Sequence, residues 1–505
     1  MSSLSLWFFA FLALLFLKFL WRQKKPPLPL PPGPPAEFLL GHTRIFPREQ
    51  PHHQLAQWAK QYGDVMHFNM LGKNLIVLSS QSATYDLLDK RGSIYSSRPR
   101  FPAFELVGWA HQHSFLPYSK EYMRYQKWFQ NGLGARQAAT YQPIQLKHAR
   151  TLMRNLSSTS DDIATNVARF GVSIIIEVTY GPDMAQGAKI DRIIELTEDI
   201  TRKLATMGDT SFVDLFPFLI HFPSWFPGIR CLAVARDTWK TQQELEYMPF
   251  EELRRRVAAG QAYPALLASH LDKLEREGHM SKDELAFLRT CASAAVGAGS
   301  ETTWSSIMNF IAAMLLFPHV QTRAQEELDR VIGCDRLPDF SDRKSLPYVQ
   351  CIVHETMRWH PVVPFAIPHL NIEDDVYKNM FIPKGSTILA NANAMAYDES
   401  VYRDPEMFSP ERFLPDRGEP IPTNIAFGHG RRICPGRHLA DSSLWIAFAS
   451  LLAMFDIRPT LDSEGKEVTP NIKFTTALTS NPEPFQCRLV PRKTGLRVLT
   501  ESFGE

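Results

Sequence analysis

Among the side chains able to do chemistry, one cysteine stands apart by its surroundings. Cys434 sits in Phe427-Gly428-His429-Gly430-Arg431-Arg432-Ile433-Cys434-Pro435-Gly436, spaced F-x-x-G-x-R-x-C-x-G. Glycines and a proline around one thiol call for a tight turn, neither helix nor strand. The residues that follow, from His438 to Ala449, are helix formers with an apolar face. A thiol in such a loop at a helix N-terminus, with Arg431, Arg432 and Arg437 close in sequence, is expected to favour the thiolate. A thiolate there serves as a nucleophile or as a metal ligand. A nucleophile needs a partner base, and although His429 and His438 are near in sequence, neither is identifiable as one. A metal held in a flat macrocycle explains more positions. Gly430 and Gly436 would let backbone approach the ring, Arg432 would meet a propionate bidentately, and Phe427 would shield the sulfur.

Such a loop needs a scaffold to hold it. The spacing predicts one long helix over 282–316, with Ala294-Ala295-Val296-Gly297-Ala298-Gly299-Ser300-Glu301-Thr302-Thr303 in its middle. Glycine inside a helix costs about 1 kcal/mol, so small residues there make sense if something bulky lies against them. Gly297-x-Gly299 lacks a third glycine and follows no strand, which excludes a dinucleotide fingerprint. A second helix over 346–358 puts Glu355 and Arg358 three residues apart, on one face. Further helices are expected over 52–62, 142–180, 189–207, 244–256 and 265–278. Residues 65–68 and 75–78 read as strands around Gly72-Lys73-Asn74. Residues 381–385 with 387–390 read as a hairpin, and 474–480 with 485–490 as short strands. Residues 97–118 read as an aromatic loop containing Phe101, Phe104, Trp109, Phe115, His111 and His113.

The 505 residues are 44% hydrophobic, enough for a sizeable core. Lys+Arg 55 against Asp+Glu 53 gives no basic surplus for nucleic acid. None of the six cysteines lies in a C-x-x-C pair, which argues against a zinc site or a disulfide framework and suits a reducing compartment. Residues 4–21 are almost wholly apolar, nearly long enough to cross a bilayer. No basic stretch precedes them and no small-x-small site follows, so an anchor is favoured over a cleaved signal. Arg22, Lys24 and Lys25 would stay cytosolic, with the bulk of the chain on their side. Pro26-Pro27-Leu28-Pro29-Leu30-Pro31-Pro32-Gly33-Pro34-Pro35 is a stiff polyproline spacer. The expected organisation is a transmembrane anchor over 1–21, a hinge over 22–35 and a globular domain over 36–505. Between predicted helices, 212–228 is rich in aromatics and prolines, including Phe218, Phe222 and Trp225. It would cap a chamber, cover the core or rest in a membrane interface.

The 427–436 loop resembles the haem-binding loop of the cytochrome P450 family, and the resemblance extends over nearly the whole chain. It implies a mainly α fold with small β-sheets, a haem b cofactor with Cys434 as axial thiolate, and O2 as co-substrate. Ala298-Gly299-x-Glu301-Thr302-Thr303 is similar to the family's oxygen-activation motif, in which Thr302 and Glu301 would deliver protons. Glu355 and Arg358 match the family's E-x-x-R element, and Arg412 lies in its P-E-R-F element, where the charges form a buried structural network. His369 corresponds to a position that can bind a propionate. The chain departs from the family where a Trp and a basic residue are usual, with Tyr122 and Gln126 in those places. Tyr122, Arg124 and Lys127 are the substitute propionate partners.

The reaction implied is monooxygenation of a lipophilic substrate. No flavin or nicotinamide motif is present, so the resemblance implies a membrane-bound, NADPH-dependent diflavin reductase as partner. Arg431, Arg437, Lys120 and Lys127 would form its docking face. Anchor and hinge look like the start of an endoplasmic-reticulum enzyme of this family, and the overall pattern looks like fungal, particularly mushroom, secondary metabolism. The chamber-lining candidates Phe101, Phe104, Ala294, Ala295, Ala298, Val363, Phe365, Ile367 and Leu478 offer no charged anchor. A terpenoid is the first expectation; an aromatic polyketide or indole is the second. A reductase-independent haem-thiolate isomerase or dehydratase is a third reading, against which Thr302 speaks. A haem-based sensor is a fourth, which leaves the proton-delivery motif without a role.

Overall fold

A computed structural model describes residues 27–158, 162–207, 211–226, 229–333, 335–475 and 478–492. The expected anchor over 1–21 lies outside the described residues, as does the hinge up to residue 26.

The body is mainly helical with small sheets at one side. The helices that matter for the site are α1 (Lys120–Leu133), α2 (Gln142–Ser158), α3 (Ile163–Tyr180), α4 (Gly187–Met207), α5 (Cys231–Ala258), α6 (Lys282–Leu316), α7 (Pro347–Trp359) and α8 (Arg437–Met454). The span expected as one pattern over 142–180 is two helices, because the Asp162 side chain caps a new start by accepting from Thr165 N–H. α3 is long and apolar enough to cross a membrane, but 72% of it is buried, so here it is a core helix.

α6 occupies the expected residues. The Ser281 hydroxyl accepts from Glu284 N–H at its start, and Phe317 and Pro318 end it. Its polar and apolar residues do not segregate to opposite faces, as befits a helix surrounded by protein. α6 packs along α3 and against α8, where Phe310 stacks on Phe448 with ring centroids 4.0 Å apart.

One four-stranded sheet runs β1 (Val65–Met70), β2 (Lys73–Leu78), β4 (Thr387–Ala390), β3 (His369–Leu370) in spatial order. β1 and β2 form the expected antiparallel hairpin, with Val65 opposite Leu78. The hairpin expected over 381–390 does not form. Met380–Ile382 pairs instead with Asp375–Tyr377, across Lys378 and Asn379, both at positive φ, a turn chemistry that favours hairpins. β4 joins β2 in parallel. Among the described residues of 474–490, the expected strands reduce to Arg488–Pro491, paired with Phe455–Arg458, and a single bridge from Phe474 to Pro482.

The described part of the polyproline stretch lies on the body. Pro29 O accepts from Phe381 N–H at 2.8 Å, Pro32 O from His67 N–H at 3.0 Å, and the Pro34 carbonyl meets His42 Nε2 at 2.8 Å. A methyl group on Gly33 would sit 2.5 Å from the His67 carbonyl oxygen, so only glycine fits there.

The aromatic segment before α5 has two faces. Leu219 is buried with Val107, Val213 and Leu232, whereas Phe218, Phe222 and Trp225 are exposed, Trp225 at 79%. Phe38 (76%) and Leu39 are exposed too, and Lys73 of the nearby hairpin donates to the Asp214 carbonyl at 2.7 Å.

Candidate active site

The Cys434 loop is a short turn of 3-10 helix over Gly430–Arg432, closed by Cys434 N–H donating to Phe427 O at 2.8 Å. α8 begins at Arg437, directly after it. Gly428 and Gly430 take positive φ (78° and 50°). At Gly430 a methyl group would meet Leu88 O at 2.4 Å, from the neighbouring turn of π-helix Tyr85–Lys90. Among the described residues, the closest approach made at Gly430 is therefore to protein backbone. Gly436 lies beside the sulfur, where an added methyl would make an ordinary 3.9 Å contact with Cys434 Sγ.

Burial pushes the Cys434 thiol above its ordinary value, outweighing the Gly436 and Arg437 N–H groups and the Arg437 charge that stabilise a thiolate. The other arginines point elsewhere. Arg431 reaches Tyr118 Oη at 3.2 Å, and Arg432 donates to the carbonyls of Ser96 and Leu116, both at 2.7 Å. A buried neutral thiol with two N–H groups aimed at it is made anionic by a bound metal cation, which deprotonates its ligand outright. Among the described residues, no three His, Cys, Asp or Glu side chains gather into a metal cluster. A lone thiol therefore suits a metal that brings its other ligands with it.

Cys434 keeps accessible surface although protein surrounds it, as a residue lining an internal recess does. The middle of α6 also keeps accessible surface. Gly297 and Ala298 are exposed between buried Val296 and Ser300, and a methyl on Gly297 would meet nothing within 4 Å among the described residues. The other small residue faces protein: a methyl on Gly299 would lie 3.1 Å from Ile175 of α3. The small-residue run thus does two things, close packing on one side and an open wall on the other.

On that wall Thr302 Oγ1 donates to the Ala298 carbonyl at 2.7 Å, which leaves its lone pairs free to accept. The Glu301 carboxyl is held through one oxygen: Oε1 accepts from the Thr479 hydroxyl and from Asn481 Nδ2 at 3.4 Å.

A basic cluster flanks the Cys434 loop. Arg432 is buried, with its guanidinium 3.6 Å from the Tyr122 ring centroid. Arg98, also buried, donates to Ser114 O, Ile367 O and Pro368 O at 3.0, 2.6 and 2.9 Å. Burial, then the Arg432 charge, hold Arg98 well below its usual range. Among the described residues no carboxylate faces either guanidinium. Two buried cations without an anion are costly, so the cluster fits an acidic group supplied by a ligand, such as paired propionates. Arg98 was not among the residues singled out from sequence; Ser-Ser-Arg-Pro-Arg carries no signal that its first arginine is buried.

The other cradle candidates sort differently. Tyr122 gives its phenol proton to Arg431 O at 2.7 Å, so it is a platform under Arg432 that pins the Cys434 loop. His113 Nε2 meets Gln126 Oε1 at 2.6 Å and its ring stacks on Tyr122, while burial lowers its pKa to about 4. Arg124 is not part of the cluster: it pairs with Glu284 and lies over the Phe287 ring at 3.8 Å. His369 must donate from Nδ1 to Tyr95 O at 2.8 Å, since a carbonyl only accepts. Burial, chiefly, with Arg98 nearby, holds His369 well below its usual value, so it is neutral and its Nε2 is a bare lone pair. Carboxylate binding therefore falls first to Arg98 and Arg432.

The expected ion network is present and buried. Arg358 binds Glu355 at 2.7 Å, and Arg412 reaches Glu355 at 3.1 Å and Glu419 at 2.6 Å. Glu419, missed in the sequence, balances the second arginine.

Comparison with known proteins supports the same conclusion. The Cytochrome P450 family profile matches residues 31–489. The chain is 36% identical over 480 residues to cytochrome P450 monooxygenase 136 of Postia placenta, covering 94% of this chain and 90% of that one. It is 34% identical to cytochrome P450 monooxygenase claR of Ampulloclitocybe clavipes, over 94% and 89% of the two chains. It is 35% identical to the tryptamine 4-monooxygenase of Psilocybe cyanescens, over 92% and 93%. With the family profile spanning nearly the whole chain and these fungal relatives matched along most of their length, the chain belongs to the cytochrome P450 family and is a cytochrome P450 monooxygenase.

Proposed function

We propose that the chain binds haem b through the Cys434 thiolate and inserts one oxygen atom from O2 into a lipophilic secondary metabolite, with electrons from an NADPH-dependent diflavin reductase. The balance is substrate C–H, O2, NADPH and a proton giving C–OH, water and NADP+. The observation that carries the reading is the pair of buried guanidiniums beside the Cys434 loop, Arg98 and Arg432, which meet no carboxylate among the described residues. Haem, when bound, supplies dioxygen binding and activation, with the thiolate favouring O–O cleavage. Arg98 and Arg432 would hold the propionates, with the Tyr122 ring lying against the Arg432 guanidinium. Phe427 covers the sulfur side. The open wall at Gly297 and Ala298 faces the substrate. Thr302 Oγ1 accepts a hydrogen bond and relays a proton, and Glu301 resupplies it.

Lys120, Lys127 and Arg431 are exposed and Arg437 half-buried on the loop side, the charge pattern an acidic reductase surface would meet. A terpenoid remains the first substrate class, since the candidate lining is apolar. The second is an indole or aromatic polyketide, favoured by the stacked rings of Phe104, Trp109 and Phe115, 5.3–5.7 Å apart, and by the relative that acts on tryptamine. Co-expression with a diflavin reductase, followed by mass spectrometry of terpene, polyketide and indole feeds, tests the reading; no oxygenated product from any of them would count against it.

Thr302→Ala should leave haem content intact, because the Thr302 hydroxyl is bonded within its own helix, to the Ala298 carbonyl. NADPH consumption should continue with several-fold more hydrogen peroxide and less product. An unchanged product yield per NADPH would take Thr302 out of the proton path.

We also propose that the enzyme sits on the endoplasmic-reticulum membrane, anchored by 1–21 with the body cytosolic. The exposed Phe218, Phe222 and Trp225, together with Phe38 and Leu39, form an apolar surface suited to the bilayer interface. Protein lacking residues 1–25 should keep its haem spectrum and remain partly membrane-bound. Changing Phe218, Phe222 and Trp225 to Ser in that protein should release it to the soluble fraction. Full solubility after truncation alone would mean the segment is only a chamber lid.

A further inference from the structure

The C-terminal turn is fastened to the oxygen-activation segment of α6 at one point, the Glu301 carboxyl. Oε1 receives the Thr479 hydroxyl and Asn481 Nδ2, while Oε2 has no partner among the described residues. The Asn481 amide turns Nδ2 to the carboxylate, because an ionised carboxylate only accepts, and its Oδ1 lies 2.5 Å from the Ser305 hydroxyl, which also reaches the Glu301 carbonyl at 2.7 Å. The described residues of the turn are tied to one another and to the body. Thr475 N–H donates to Asn481 O at 2.8 Å and Asn481 N–H to Thr475 Oγ1 at 3.0 Å. Ser480 N–H donates to Val362 O at 2.8 Å, and its hydroxyl meets His360 Nε2 at 3.0 Å.

A carboxyl free to rotate presents either oxygen, and both are equally exposed to stray partners. Here one oxygen is engaged by two donors from a pinned turn, so the group has a single orientation. We propose that Thr479 and Asn481 are positioning residues for Glu301: they tie down Oε1 and leave Oε2 as the oxygen that carries the proton towards Thr302. The proposal rests on the proton role given to Glu301 above. Neither residue touches the reacting atoms; each acts through Glu301.

Glu301→Gln separates the two roles, because an amide oxygen still accepts from Thr479 but the group no longer carries an acidic proton. The test uses full-length holoprotein with diflavin reductase, comparing Thr479→Val, Thr479→Ser, Glu301→Gln and Thr479→Val/Glu301→Gln. Two quantities are read: hydrogen peroxide per NADPH, and hydrogen–deuterium exchange over residues 474–487. Thr479→Val should raise the peroxide yield several-fold and speed exchange in the turn. Thr479→Ser, which keeps the hydroxyl, should match wild type in both. In the Glu301→Gln background, Thr479→Val should still speed exchange but add nothing to the peroxide yield. If it adds its full effect there, Thr479 is merely structural and the proposal fails. It fails equally if Thr479→Val leaves peroxide or exchange at the wild-type value. If Glu301→Gln itself leaves the peroxide yield unchanged, the proton role of Glu301 falls, and the positioning role with it.

Discussion

Cys434→Ser should abolish the thiolate signature of the ferrous–carbonyl protein. Wild type is expected to show the Soret band at the red-shifted thiolate position; the variant should show it at the ordinary haem position or not at all. The reason lies in the local balance of forces. Burial already holds this site against negative charge, and only the Gly436 and Arg437 N–H groups, with the Arg437 charge, favour an anion. A bound cation tips a thiol across that barrier. A serine hydroxyl, with a far higher pKa, stays neutral in the same place. The loop should survive the change, since Cys434 N–H still donates to Phe427 O and Gly430 N–H to Asp89 Oδ1, at 2.8 Å each. Turnover should drop below detection while the protein remains folded. A variant that retained the red-shifted band would show that another residue is the ligand.

Glu355→Ala and Arg358→Ala should each yield little haem-loaded protein. Both side chains are fully buried, and Arg358 also donates to the carbonyls of Ala396, Pro405 and Met407. The network therefore stitches α7 to the segment that leads towards the Cys434 loop. Removing one partner leaves a buried charge without compensation, a loss on the order of 3–5 kcal/mol. Against a typical domain stability of about 5–15 kcal/mol, that is enough to deplete the folded enzyme. The carbon-monoxide difference spectrum and the thermal midpoint of whatever is recovered check the prediction. Normal haem loading would overturn it. Removing Glu355 should hurt more than removing Glu419, because Glu355 serves both arginines and the Ser409 N–H, at 2.7 Å.

What could be read from the sequence follows from how local each signal is. α6 was legible to the residue, because a serine cap, a helical pattern and a Phe-Pro stop are all written within the segment. The Cys434 loop was legible through spacing alone. The partners of its arginines were not: of the three close in sequence, two turn to Tyr118 and to backbone carbonyls. The 381–390 hairpin failed because strand partners are a tertiary choice; Lys378-Asn379 was the overlooked turn. Arg98 and the Thr479–Asn481 contact to Glu301 are invisible for the same reason. Each depends on chain segments more than a hundred residues apart meeting in space.

The two-sided character of α6 bears on how such an enzyme changes its repertoire. Most chamber substitutions are constrained by the core behind them. At Gly299 a larger side chain would press on Ile175, and at Gly171 an added methyl would lie 3.3 Å from Ser300 O. Gly297 carries no such debt. An alanine there would relieve a helix-interior glycine, a gain of about 1 kcal/mol, without displacing any described neighbour. Stability and substrate choice usually pull against each other during divergence. At Gly297 added bulk and added stability go together, so a laboratory library has a well-tolerated first site there.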